Sequence, residues 1–122
     1  MLFTLYPTGE TPVPIIRNEE LILLRAEIAT QQSNFAAARA DVNLIRTGYG
    51  LAAKIDTDLD STTELIDELL KQRRYSLLFE GGHRWIDLRR YNKLDDSLKD
   101  LPTTHFVHQQ YPIPSSEIDA RQ

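Results

Sequence analysis

Apolar side chains recur at helical spacing in three separate stretches, and no stretch reads as a strand. In "IRNEELILLRAEIATQQ", Leu21, Leu24 and Ile28, flanked by Ala26 and Ala29, mark one face of a helix from about Glu19 to Gln32. Asn18 is placed as its N-cap, and Glu19 and Glu20 lie in the first turn, where the helix dipole favours negative charge. In "SNFAAARADVNLIRTGYG", Phe35, Ala38, Val42 and Ile45 mark the face of a second helix, with Ser33 or Asn34 as cap and Gly48 and Gly50 at its end. So short a connection makes the two helices antiparallel neighbours. Small Ala26 and Ala38 then let them approach closely, with Phe35 filling the turn, as in tetratricopeptide units.

Residues 51–60, "LAAKIDTDLD", read as a loop. Ser61-x-x-Glu64 has the form of a capping box opening a third helix that carries Leu65, Ile66, Leu69, Leu70, Leu77 and Leu78 to about Glu80. Gly81 and Gly82 stop it, and a short helix follows from Arg84 to about Tyr91. Pro7, Gly9, Pro12 and Pro14 keep residues 1–16 extended, and from Asn92 onward the chain reads as loop, with Pro112 and Pro114 holding its end extended. The expected fold is all-α: two antiparallel helical hairpins of tetratricopeptide type between extended proline-rich ends.

Length and charge narrow the function. The 122 residues fit a single domain, 1–122, and the formal charge of −4 argues against a nucleic-acid partner. The absence of cysteine removes disulfides, thiolate metal sites and thiol nucleophiles. No run of apolar residues reaches the length of a membrane span, and "MLFTLYPTGETPVP" lacks the pattern of a signal peptide. It reads like the interior of a longer protein, which predicts a fragment.

Candidate chemistry is sparse. Gly48 to Ala53 fits a dinucleotide glycine pattern by letter only, since a helix precedes it and a loop follows. His105-x-x-His108 supplies too few ligands for a metal, and two glycines break the helix that Glu80-x-x-His83 would need. Asp56, Asp58 and Asp60 lack the glycine and distal glutamate of a calcium loop. With no nucleophile elbow or phosphate loop, no enzyme, cofactor or metal is expected.

The densest chemistry lies in "RRYSLLFEGGHRWIDLRRY", residues 73–91. Arg74 falls four residues from both Leu70 and Leu78 and is placed on their apolar face, where it needs a carboxylate; Glu80 and Asp87 are nearest in sequence. Arg84 and Arg90 flank Asp87 at three residues on either side, and Trp85 is expected to be a buried anchor. The reading is structural: arginines tie two helices and a turn together around Phe79, Trp85 and the leucines. Its rival is an anion site at the start of the short helix.

This stretch resembles the C-terminal signature of the SusD/RagB family: an arginine-rich helix, a phenylalanine-glutamate-glycine turn, then an arginine–aromatic–x–aspartate–leucine–arginine helix. "ELILLRAEIA", "VNLIRTGYGL" and "YPIPSSEIDA" are similar to three other family segments, in the same order. Gln72 and Ser76 stand where the family usually has glutamates, and Gly82 lengthens the turn by one residue.

The resemblance implies a non-catalytic protein that binds oligo- or polysaccharide at the outer-membrane surface and works with a SusC-type TonB-dependent transporter. This chain would supply its C-terminal helical scaffold, with Arg73, Arg74, Phe79, Glu80, Arg84, Trp85, Asp87 and Arg90 structural and the ligand contacts in loops outside the signature. Family members carry a signal peptide and a lipid-bearing cysteine, neither of which this sequence shows. Apolar faces parted from the rest of their core would favour homodimers. The alternative is a free-standing tetratricopeptide-like module for protein–protein binding.

Overall fold

The computed structural model describes residues 8–78, 80–95, 108 and 110–121. Among the described residues five α-helices follow in order: α1 (Asn18–Gln31), α2 (Phe35–Gly48), α3 (Thr62–Ser76), α4 (His83–Arg90) and α5 (Ser115–Asp119). A 3-10 turn, Asp56–Asp58, interrupts the α2–α3 connection. Among the described residues there is no strand, so the all-α expectation holds. The chain divides into two compact units, Met1–Gly81 and Gly82–Gln122.

In the first unit α1 and α2 form the antiparallel hairpin, and α3 packs against both. The turn between α1 and α2 is three residues long because Ser33 takes a left-handed φ of 59°. Asn34 caps α2, its side chain accepting from the Ala37 N–H at 3.3 Å. Ala26 and Ala38 are both fully buried, so the hairpin closes on its smallest residues. Leu23, Val42, Leu65 and Leu69 complete the tightest part of the core, each contributing about 2 kcal/mol by burial.

The face assigned to α1 is corrected. Leu21, Leu24 and Ile28 are 53%, 45% and 51% exposed, whereas Leu23, Ala26, Glu27 and Thr30 point inward at i, i+3, i+4 and i+7. Both sides of this helix are apolar, so spacing alone admits two solutions. The small Ala26 and the carboxylate of Glu27 decide between them, the one admitting α2 and the other meeting an arginine of α3.

Asn18 is likewise the first helical residue and not the cap; that position falls to Arg17. The Arg17 guanidinium instead bonds the Ser76 carbonyl at 3.3 Å and Glu80 at 3.0 Å, joining the start of α1 to the end of α3. A cation beside the last carbonyls of α3 also suits that helix's dipole.

Helix α3 opens on the predicted box, Ser61 accepting from the Glu64 N–H at 3.3 Å. Glu64 reaches back to the Ser61 hydroxyl at 2.8 Å and the Asp60 N–H at 3.3 Å. These donors stabilise the Glu64 carboxylate and hold its pKa below the ordinary range, with the Ser61 bond the leading cause.

The loop between α2 and α3 is tied down. Asn43 on α2 grips the backbone of Lys54 twice, accepting from its N–H at 2.7 Å and donating to its carbonyl at 2.9 Å. Arg46 donates to the Ala52 carbonyl at 2.9 Å, and Arg39 to the Leu59 carbonyl at 3.0 Å. Arg39 also pairs with Asp56 at 2.8 Å. Asp56 and Asp58 thus serve the loop itself, Asp58 accepting from the Ile55 N–H at 3.3 Å.

Helix α3 ends at Ser76, with Leu77 as its C-cap, and not at about Glu80 as expected. In the second unit, α4 begins after Gly82, and the left-handed φ values of Gly81 and Gly82, 53° and 68°, turn the chain into it. The end of the chain is not wholly extended as expected: Ser115–Asp119 forms α5. Pro114, with φ −54° and ψ 139°, keeps an extended ψ while its ring needs no N–H, so a helix can start directly after it.

Candidate ligand-binding site

The arginine-rich signature divides by burial. Arg73, not Arg74, turns inward, pairing with Glu27 of α1 at 2.6 Å with side chains only 10% and 5% exposed. The buried stripe of α3 runs through Ile66, Leu69, Leu70 and Leu77, and Arg73 lies seven residues after Ile66 and four before Leu77. Arg74 falls outside it and is exposed, as is Leu78 beside it, which corrects the face drawn from the sequence. A second buried pair joins Arg46 of α2 to Glu68 of α3 at 2.6 Å. Gln72 donates to the same Glu68 oxygen at 2.7 Å, so the glutamine supports a carboxylate from the neighbouring turn.

Glu80 meets Arg17, 63 residues away, and not the Arg74 expected from sequence proximity. Phe79 and His105 lie outside the described residues. Within the second unit Arg84 is half-buried, Asp87 is buried and Arg90 is exposed, its guanidinium 5.8 Å from the Tyr91 ring. Trp85, expected as a buried anchor, is half-buried.

Trp85 nonetheless has its contacts filled. Its ring lies 4.6 Å from that of Tyr111 at a tilt of 34°, and the Arg89 guanidinium sits 5.2 Å from its centroid. Its indole N–H donates to the His108 carbonyl at 3.0 Å. These contacts fasten His108 and Tyr111 onto α4.

The more open surface of the first unit lies where α1 begins and α2 ends. The antiparallel hairpin brings Glu19 and Tyr49 together across 30 residues, the Tyr49 hydroxyl donating to Glu19 Oε1 at 2.9 Å. Arg17 approaches the same oxygen at 3.6 Å. The Glu19 carboxyl is held below the ordinary carboxylate range, first by its own backbone N–H and then by the Tyr49 hydroxyl. The same bond pushes the Tyr49 phenol up, because it favours the protonated donor. Arg17 is raised chiefly by its bond to Glu80.

Two clefts flank this cluster. One, of about 390 Å3, is lined by Pro12, Pro14, Ile16, Arg17 and Glu80 together with Asn18 and Glu19. The other, of about 400 Å3, has Asn18, Glu19 and Tyr49 at its polar side and Ile22, Leu44 and Ile45 beneath, with Gly48 at its edge. The second cleft, with apolar side chains facing a few fixed polar groups, can hold a small ligand. The Glu19–Tyr49 pair was absent from the expectation. Its one signal in the sequence was the hairpin itself, which sets the first turn of α1 beside the last turn of α2.

Among the described residues no group of three histidine, aspartate or glutamate side chains converges as a metal site, and no helix is long and apolar enough to cross a membrane. No curated protein and no solved structure matches the chain. The family model described as the SusD family matches residues 6–122, spanning every helix described above. By that match the chain belongs to the SusD family.

Proposed function

We propose that this chain acts as part of a non-catalytic glycan- or nutrient-binding protein of the SusD type, at the cell surface, with a SusC-type TonB-dependent transporter as partner. The family is one of nutrient-binding, generally non-catalytic proteins. The match over residues 6–122 is the observation that carries the reading. In it the chain is a single C-terminal helical domain that serves as scaffold, and the signature arginines are structural. The buried Arg73–Glu27 pair supports that role by joining α1 to α3, and the half-buried Arg17–Glu80 tie joins the start of α1 to the turn after α3.

Fractionation of native cells, probed with antibody against this chain, tests the proposal. Recovery in the outer-membrane fraction together with a TonB-dependent transporter is expected. Recovery in the soluble fraction alone would overturn it and favour a free-standing helical module. One observation favours that second reading: Leu21, Leu24 and Ile28 form an exposed apolar stripe along α1 suited to a partner protein.

A further inference from the structure

We infer that the cleft between the start of α1 and the end of α2 is a binding site for one neutral pyranose unit. The inference deepens the glycan-binding reading and rests on it for the ligand class. Tyr49 supplies the wall: the residue is 57% exposed, yet the tip of its ring is fixed by the 2.9 Å bond to Glu19. A ring held at one end presents its face without having to be ordered on binding, which lowers the entropic cost of the contact. Leu44, 54% exposed, and Ile22 extend this apolar surface. The C–H bonds on one face of a sugar ring, weakly positive, suit the negative face of an aromatic ring.

The polar side fits hydroxyl groups. A carboxylate has about four acceptor positions, and the contacts from Tyr49 and Arg17 both fall on Oε1 of Glu19. Asn18, exposed beside it, offers both a donor and an acceptor. A pair of adjacent sugar hydroxyls can therefore donate to Glu19 while a third group meets Asn18. Anions are disfavoured, because Glu19 is held ionised and the neighbouring Arg17 is engaged by Glu80 and the Ser76 carbonyl. Small organic cations are a poorer fit, since one aromatic face is no cage and Arg17 stands 3.6 Å from the carboxylate.

Gly48 provides a clean test. A side chain added there meets nothing within 4 Å, so it would fill the cleft edge without disturbing the core. Leucine in place of this last residue of α2 also has the better helix propensity. The experiment follows backbone amide shifts of the 122-residue chain by NMR on adding glucose, galactose, mannose, xylose, N-acetylglucosamine, galacturonate or tetramethylammonium, each at on the order of 10 mM.

At least one neutral sugar is expected to shift the amides around Glu19, Leu44 and Tyr49. Those shifts should vanish in Gly48→Leu and fall at least several-fold in Glu19→Gln, with the helical circular dichroism of both variants unchanged. Shifts confined to residues 82–121 would overturn the site while leaving glycan binding intact. A response only to galacturonate or tetramethylammonium would overturn the ligand class. No response to any probe would also overturn the site, and the outer-membrane fractionation then judges the wider function separately.

Discussion

Replacing Glu27 with alanine should destabilise the chain by about 3–5 kcal/mol, the cost of breaking a buried ion pair from one side. The magnitude follows from burial. The Arg73–Glu27 contact is 2.6 Å, and the two side chains are only 10% and 5% exposed, so water cannot fully replace the lost carboxylate. Arg25–Asp41 is the internal control, with bonds of 2.6 and 2.7 Å but an Arg25 side chain 68% exposed. Water reaches the Arg25 side of this pair, but the Asp41 side chain is 12% exposed and loses two bonds, so Arg25→Ala should lower the unfolding midpoint measurably, though well short of Glu27→Ala. Urea unfolding followed by circular dichroism measures both. A domain of this size is stable by about 5–15 kcal/mol, so Glu27→Ala should remove a large fraction of the total. The double variant Glu27→Leu with Arg73→Met should recover most of the loss, because no charge then remains buried. Equal midpoints for Glu27→Ala and Arg25→Ala would refute the argument from burial. Failure of the double variant to recover would show that packing, not charge, sets the cost.

Leu69→Ala should cost about 2–5 kcal/mol, as Leu69 is 1% exposed, whereas Leu24→Ala, at 45% exposed, should cost under about 1 kcal/mol; equal costs by urea unfolding would restore the outward face to the core. The Glu19–Tyr49 bond should respond to pH at both ends. The lowered Glu19 pKa gives stability that is present above the ordinary carboxylate pKa and lost as pH falls through the folded value; the raised Tyr49 pKa gives stability present below the ordinary phenol pKa and lost as pH rises through the folded one. Tyr49 is one of five tyrosines, so its phenolate absorbance is isolated by subtracting Tyr49→Phe; Glu19→Gln should lower its titration midpoint, and an unmoved midpoint would count against the bond. Trp85→Ala should cost about 1–3 kcal/mol, from the ring pair, the cation contact and one hydrogen bond, and should speed proteolysis near Tyr111; unchanged cleavage there would deny the clasp.

Local signals were legible wherever the determinant lies within one turn of its effect. Asn34 capping α2 and Ser61 and Glu64 opening α3 are both of this kind, whereas α3 ends at Ser76, short of the Gly81–Gly82 stop that the sequence suggests. Errors arose where two arrangements satisfy the same local rule. α1 has leucine or isoleucine on both sides; Ala26 against α2 and Glu27 reaching Arg73, 46 residues away, together fix which side is inner. Arg73 and Arg74 are adjacent and chemically equal, so their opposite fates follow from the rotation of α3 against α1. The Arg17–Glu80 tie and the Glu19–Tyr49 cluster were invisible for the same reason, spanning 63 and 30 residues. Trp85 was misjudged because hydrophobic bulk predicts burial, whereas its N–H also draws it toward an exposed carbonyl at His108.

The stitching of Arg39, Asn43 and Arg46 to the α2–α3 connection has a consequence for how this segment can vary. Its anchor points are main-chain atoms of Ala52, Lys54 and Leu59, which every residue type except proline at position 54 can supply. Substitution at exposed positions such as Ala52 is therefore cheap, unlike at the buried Leu59 or at Asp56 and Asp58. Insertion or deletion is not cheap, because the fixed spacing of three side chains on α2 measures the connection's length. The segment behaves as a ruler, setting the distance at which α3 begins, and the Lys54 amide should exchange with solvent as slowly as one inside a helix.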